Sequence, residues 1–356
     1  MSKIFKSTVI IFLIIFVIFS TMFGVLAAQK LSELSLGDEV YIYGLEKEDK
    51  QLGMMNILLI GVDEGGYRSD TIMLLSVDGY SNRVNILSIP RDTMVKADGY
   101  SIQKINALIG LGKEAVARNK MDEPEELLIS MVKKLTGLPI HYFMSVDFKG
   151  FKEIIDAVDG VDFNVPYNMD YDDPTQNLHI HLKAGEQHLD GEEAHDFVRF
   201  RHNNNGTAPG EYVLGDEGRE YWQQQFLKEL IQQKCKAQYI SKIDDIFKVV
   251  KENVRTNYTM KDLVNHLDYL QEIKFEEIGS YQLPGQAEDI DPAWWYMCDK
   301  EATRELINEV FLPMSEEEWE EYKALQDDTG TGFDAIDRIR AEKRKANITP
   351  LQELPN

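Results

Sequence analysis

Cysteine is nearly absent from this chain: Cys235 and Cys298 are the only two in 356 residues. That excludes a disulfide framework, which needs several bridges at ordered spacings, and the pair reads as two unpaired buried thiols, with a single bridge as the other option in an oxidising compartment. Positive charge is also scarce, with 38 Lys and Arg against 61 Asp and Glu and a net charge of −23. Such a field repels phosphate backbones unless a local basic patch overrides it, which argues against nucleic-acid binding. The sequence contains no GxxxxGKS/T, no GxSxG and no HExxH. The P-loop, nucleophile-elbow and zinc-protease readings therefore lose their support. No repeat recurs at solenoid periods.

One long apolar run is present. Lys3 and Lys6 precede an uncharged stretch from Ser7 to Ala28. As a helix it spans roughly 33 Å, enough for a hydrocarbon core of about 30 Å. Lysines before the run and an acidic body after it place residues 1–6 in the cytoplasm, 7–28 across the membrane as a signal anchor, and the body outside the cell. A cleaved signal peptide is the competing reading, because Val25, Leu26 and Ala27 offer a small-residue cleavage site. Residues 29–52 read as a linker, 53–237 as the main domain, 238–312 as a C-terminal extension of helices and strand, and 313–356 as an acidic charged tail.

The main domain alternates strand and helix patterns. Asn56 to Val62 is a buried strand, and Thr71 to Asp78 and Arg83 to Pro90 flank the turn at residues 79–82. Helices are expected over Ile102 to Arg118 and Glu123 to Leu135. A strand follows at His141 to Val146 and a helix at Phe148 to Val158, closed by Gly160. Val161 to Pro166 and Leu178 to Leu182 are strands, and Asp190 to Arg201 and Glu220 to Lys236 are helices, separated by a polar loop from Asn203 to Gly215. Beyond these come two or three helices from Gln238, a strand near Phe275 to Leu283, and a last helix from Asp299. The alternation predicts an α/β fold: a three-layer α/β/α sandwich around a mixed sheet, preceded by one transmembrane helix.

Polar residues collect where strands end. Asp63 closes the first strand, Arg68, Ser69 and Asp70 open the second, and Arg91 and Asp92 follow the third. Arg199 and Arg201 stand two apart at a helix end, and Arg219 opens the next helix. Loops at strand ends are where open α/β sheets place ligands. Guanidinium forks match phosphate oxygens, and carboxylates hold Mg²⁺ against them. The same residues also suit helix capping or mutual pairing. If both Arg199 and Arg201 face one ligand, the chain must leave the helix near Phe200 and run extended, turning Phe200 into the core. His179 and His181 share one strand face, and this His-x-His spacing leaves a zinc site as a minor reading.

The strings NILLIGVD, RSDTIMLLSVD, RVNILSIPRDTMV, KINALIG, VDFKGFKEIIDAVDGVDFNVP, GEQHLDGEEAHDFVRFRH and GDEGREYWQQQFL together resemble the LytR-CpsA-Psr family, from about Asn56 to Leu230. A thinner likeness, through YQLPG and DPAWWYMCDKE, continues to Phe311. The resemblance implies a Mg²⁺-dependent phosphotransferase of a Gram-positive-type cell wall. It would move a teichoic acid or related glycopolymer from undecaprenyl pyrophosphate to peptidoglycan outside the membrane. It also implies a hydrophobic tunnel for the polyprenyl chain. By the same resemblance Asp63 and Asp70 match metal-associated aspartates. Arg68, Arg91, Arg199, Arg201 and Arg219 match pyrophosphate-binding arginines, and Gln224 matches a glutamine near those phosphates. Arg91 and Asp92 fall in the catalytic PRD triplet, with Asp92 as base for the acceptor hydroxyl. His188 falls in the GEQHLDG turn. Two departures remove positive charge: Glu64, Gly65 and Gly66 replace a loop that often carries arginine, and Trp222 stands where many members have one. A pyrophosphatase acting on the same donor, using water as acceptor, and a regulatory or attenuator membrane protein are the alternative functions.

Overall fold

The computed structural model describes residues 54–78, 83–175, 178–207, 216–234, 249–259, 262, 266, 278–290 and 293–311. The expected membrane anchor, linker and acidic tail lie outside these residues. Among the described residues no helix is long and apolar enough to cross a membrane.

In chain order the first half contains β1 (Met54–Val62), β2 (Ser69–Asp78), β3 (Arg83–Ser88), β4 (Met94–Val95), β5 (Gln103–Lys104), α1 (Leu108–Ala117), α2 (Glu126–Thr136), β6 (Tyr142–Val146) and α3 (Phe148–Ala157). The second half contains β7 (Val161–Val165), β8 (Met169–Asp173), β9 (Leu178–Leu182), β10 (Gly185–Leu189), α4 (Gly191–Arg199), α5 (Asp216–Lys234), β11 (Val254–Thr256), β12 (Ile278–Gln282), β13 (Gly285–Ile290), β14 (Ala293–Cys298) and α6 (Lys300–Leu306). Six strands form the central mixed sheet in the order β11-β6-β1-β2-β3-β12. β1 runs parallel to β6 and β3 parallel to β12, whereas β2 is antiparallel to both its neighbours.

Side chains alternate across a strand, so a sheet covered on both faces needs apolar residues at successive positions. β1 meets that need. Ile57 and Leu59 enter one core with Met73, Leu75, Tyr142 and Met144, against Phe151 and Ile154 of α3, Phe197 of α4 and Phe226 of α5. Leu58 and Ile60 enter the other core with Ile72, Leu74 and Phe143, against Leu108 of α1, Leu128 and Val132 of α2, and Phe311. The three-layer arrangement is therefore present, and the runs Ile57 to Ile60 and Ile72 to Leu75 pack as core.

Element ends differ from the sequence pattern where tertiary pairing intervenes. The helix expected from Ile102 begins only at Leu108. Residues 103–104 instead pair with β4, and a short 3-10 turn at Ile105–Ala107 follows. The helix expected to reach Arg201 stops at Arg199, with Phe200 extended at φ −57° and ψ 141°. At its start Asp190 accepts from the Glu193 amide at 2.9 Å and the Glu193 carboxylate accepts from the Asp190 amide at 3.2 Å. This reciprocal box satisfies two amides that the helix itself leaves open. α3 closes as its sequence implies: Gly160 takes φ 58°, a conformation costly for other residues, and its amide donates to Ile155 O at 3.0 Å.

Strands unforeseen in the sequence are β4, β5, β8, β10, β11 and the β13–β14 hairpin. The GEQHLDG segment is strand β10 rather than a turn, and His188 Nδ1 sits 2.7 Å from Asp162 Oδ1 across its pairing with β7. The segment read as a C-terminal extension supplies both edge strands of the central sheet, β11 and β12. Cys298 is a free thiol 3.3 Å from Thr303 Oγ1, and burial pushes it above the usual thiol range. Cys235 lies outside the described residues.

Candidate active site

The strand directions gather the polar residues at one edge of the sheet. β1, β3, β6 and β12 all end there, and β2 begins there. A shift in the β1–β2 register between Gly61 and Val62 marks an irregularity beside the site, a device that re-aims the next residue. Asp63 follows, and its Oδ1 accepts from the Tyr67 amide at 2.7 Å and the Arg68 amide at 3.2 Å. The Asp63 amide donates to Arg68 O at 2.9 Å, which pins the loop from both sides. Gly66 turns this loop at φ 63°, where a Cβ would meet Lys113 Nζ. Lys113 also donates to Gly65 O at 3.1 Å. Arg68 is exposed on the loop.

Asp70 is 2% exposed and accepts from Arg91 Nη1 at 2.9 Å, the guanidinium being itself buried. The next carboxylate, Asp92, is more open. Its Oδ1 lies 3.1 Å from Lys104 Nζ and 3.9 Å from Arg91 Nε. Its carbonyl accepts from the Tyr296 amide of β14 at 2.9 Å, and Lys104 in turn lies over the Trp295 ring at 5.8 Å. Asp70, Arg91, Asp92 and Lys104 thus form one connected chain of alternating charge.

Arg199 is buried differently. Its guanidinium stacks on Phe148 at 4.7 Å, and Nη1 lies 3.2 Å from His195 Nε2. Loss of hydration pulls its pKa down to about 10, against the more distant carboxylates of Asp196, Asp173 and Glu64. Burial also lowers the pKa of His195, opposed by Asp196. A neutral imidazole that accepts from Arg199 at Nε2 carries its proton on Nδ1, which faces Asp196 Oδ1 at 3.4 Å. Phe200 is fully buried and extended, and Arg201 is half-buried, the conformation expected if both arginines face one ligand.

α5 closes the edge from above. Gln224 Nε2 donates to Ser88 Oγ at 2.5 Å and to Tyr281 O at 3.0 Å, fastening α5 to the ends of β3 and β12. Gln223 Nε2 donates to Val198 O at 3.0 Å, one residue before Arg199. Arg219 is 2% exposed in the first turn of α5. Trp222, in place of a charge, packs edge-on to Phe197 and Tyr167. A cleft of about 800 Å³ opens beside this edge, with Asp63, Glu64, Phe148, Lys152, His195 and Arg199 among its walls.

The LytR_cpsA_psr family model matches residues 26–311. This chain belongs to that family. A teichoic acid transferase, TagU of Bacillus cereus, is 30% identical over 263 residues, covering 72% of this chain and 77% of its own. TagV of Bacillus subtilis, also named a polyisoprenyl-teichoic acid–peptidoglycan teichoic acid transferase, is 31% identical over 267 residues, covering 72% and 63%. The crystal structure of B. subtilis TagV superposes with a TM-score of 0.57 at 29% identity, covering 72% of this chain and 97% of that one.

Within this LytR-CpsA-Psr fold the expected residues divide into groups. Asp63 and Arg199 share the cleft. Asp70, Arg91 and Asp92 are joined by direct contacts, and Gln224 holds the strand leading to them. Arg68 stays on the exposed loop, and Arg219 is buried in the first turn of α5. Sequence reasoning missed Asp147, Phe148, Lys149, Lys152, His195 and Asp196, all of which line the cleft. Their position after β6, at the same sheet edge, was the available signal. The apparent helix start at Asp147 carried it, and Asp147 does cap α3 by accepting from the Gly150 amide at 2.9 Å.

Proposed function

We propose that this protein is a phosphotransferase that moves a teichoic-acid-type glycopolymer from a polyprenyl-pyrophosphate donor onto peptidoglycan. The observation that carries the reading is the juxtaposition, at one sheet edge in this family, of the cleft arginine Arg199, which among the described residues meets Phe148 and His195 and no carboxylate within hydrogen-bond distance, and the Pro90-Arg91-Asp92 triplet, whose Arg91 pairs with Asp70. The relatives' names supply the substrate class. An acceptor hydroxyl attacks the glycopolymer-bearing phosphorus, a new P–O bond forms, and the P–O bond to the bridging oxygen breaks. Polyprenyl phosphate leaves. Asp92, oriented by Lys104, takes the hydroxyl proton. Arg91 and Arg199 face charge building on the phosphate oxygens, and preorganised donors of that kind lower the barrier without reorganising. A charge pair at about 4 Å is worth about 4 kcal/mol at an effective dielectric near 20, enough for local arginines to overcome the protein's acidic background.

Mg²⁺ fits the donor set, since Asp63 and Asp70 offer the hard oxygen ligands it prefers, with phosphate oxygens and water to complete the shell. When bound, the ion neutralises charge on the pyrophosphate. Asp70 would serve while held by Arg91, and Asp63 while its Oδ1 holds the loop. The reading also places the body outside the cell behind a single-pass anchor at residues 7–28, on the strength of Lys3, Lys6 and the apolar run.

The test is reconstitution of the full chain in detergent with a lipid-linked glycopolymer, wall fragments and Mg²⁺, followed by product mass measurement. The expected product is glycopolymer joined to the wall fragment by a phosphodiester, lost on chelation by EDTA. Release of free glycopolymer phosphate whether or not acceptor is present would assign the pyrophosphatase reaction instead.

A further inference from the structure

The β8–β9 hairpin carries a group of metal-ligating side chains that the transfer reaction does not use. Along β9, Leu178, Ile180 and Leu182 are buried while His179 and His181 are exposed, so both imidazoles stand on one face. The antiparallel register sets Asp170 opposite His181 and Asp172 opposite His179, which brings both carboxylates to that same face. His181 Nδ1 lies 2.9 Å from Asp170 Oδ1, and His181 Nε2 lies 3.4 Å from Asp172 Oδ1. His179 Nδ1 lies 2.5 Å from Asp172 Oδ1. Ligand atoms of Asp170, Asp172 and His181 all fall within 4.8 Å of one another.

The geometry points to a Zn²⁺ site formed by Asp170, Asp172 and His181, with His179 as the fourth ligand. Zinc bound tetrahedrally at 2.0–2.1 Å needs ligand atoms about 3.3 Å apart, the spacing His181 and Asp172 already show. Two imidazoles with two carboxylates are the nitrogen and oxygen set zinc accepts, whereas Mg²⁺ prefers oxygen alone.

The site has a structural address that gives it a role. The Asp170 amide donates to Asn203 Oδ1 at 2.8 Å, the Asp172 amide to Asn204 Oδ1 at 3.1 Å, and the Asn204 amide to Asp170 O at 3.0 Å. Tyr171 meets His202 edge-on at 5.3 Å. The same strand that presents the ligands therefore fastens the segment directly after Arg199 and Arg201. His179 also lines the cleft that holds Arg199. A zinc ion here locks β8 to β9 and, through β8, fixes the arginine segment. This assignment stands independently of the transfer reaction.

The test uses tag-free full-length protein in detergent, stripped with EDTA and equilibrated against Zn²⁺ with metal analysis. We expect one zinc per chain at micromolar Zn²⁺, undisturbed by a thousandfold excess of Mg²⁺, and a melting temperature that rises with zinc. His181→Gln should weaken binding at least tenfold, and His179→Gln by a smaller factor. Both variants should melt as the metal-free wild type does, which shows that they fold. Co²⁺ in place of Zn²⁺ should give the intense visible bands of a four-coordinate ion. Zinc retention equal in wild type and the Asp170→Asn/His181→Gln double variant, or a purely six-coordinate cobalt spectrum, would overturn the assignment.

Discussion

Arg91 and Arg199 are both withdrawn from water, yet the protein treats them in opposite ways. Arg91 is neutralised before any ligand arrives, by Asp70 at 2.9 Å. Arg199 rests on an aromatic face and a neutral imidazole, and desolvation alone draws its pKa down to about 10, so it stays charged at neutral pH. A buried ion pair mainly fixes geometry, because its desolvation cost roughly cancels its attraction. A half-buried cation stacked on Phe148 holds unspent charge that an incoming phosphate can take up. On the proposed reading the two arginines that face the phosphate divide the work: Arg91 meets it already fixed by Asp70, and Arg199 brings charge that no nearby carboxylate hydrogen-bonds among the described residues.

The largest effect expected from breaking this contrast lies at the pair. Asp70→Ala removes the nearest counter-charge of buried Arg91, leaving Asp92 at 3.9 Å, and should cost about 3 kcal/mol in urea unfolding. Adding Arg91→Met should recover most of that loss. A double variant as unstable as the single would show that Asp70 acts through other contacts. Of similar size is Phe200→Ala, which empties a fully buried site between the two arginines and should cost about 3 kcal/mol. Retained stability in that variant would mean the segment is not anchored through Phe200.

Much of this was legible in the sequence, for identifiable reasons. Asn56 to Val62 read as a strand because of its apolar run Ile57 to Ile60, whose positions are apolar on both faces because both are buried. The Arg-Phe-Arg step read as the end of a helix, and as extended only on the condition that both arginines face one ligand, because two arginines two apart cannot share a helix face. Other parts had no local signature. β8 is the acidic string MDYDD and β13 is the exposed string GQAEDI, strands by virtue of pairing with β9 and β14 rather than by propensity. The Asp70–Arg91 pair joins residues 21 apart, and only strand pairing shows which partner each takes. His195 looked like any histidine on an amphipathic helix until Arg199 and Phe148 were placed beside it.

The smallest expected effect concerns pH. The folded-state pKa of His195 is depressed, so between that value and the unfolded value near 6.5 the unfolded chain binds a proton that the folded chain does not. Stability is therefore full above about pH 6.5 and falls as pH drops through this window. His195→Gln should flatten that part of the stability profile measured by thermal melts from pH 7.5 to 5. An unchanged slope would place the titrating group elsewhere.

The direct test of the assignment of Arg199 and Arg201 to the anion is calorimetric titration of a short-chain polyprenyl pyrophosphate into wild type, Arg199→Lys and Arg201→Lys, with melting curves on the same samples. Lysine keeps the charge and loses the two-pronged fork, so each variant should bind about tenfold more weakly at an unchanged melting temperature. Unchanged affinity with a lowered melting temperature would show that Arg199 and Arg201 serve the fold, and would contradict their assignment to the anion.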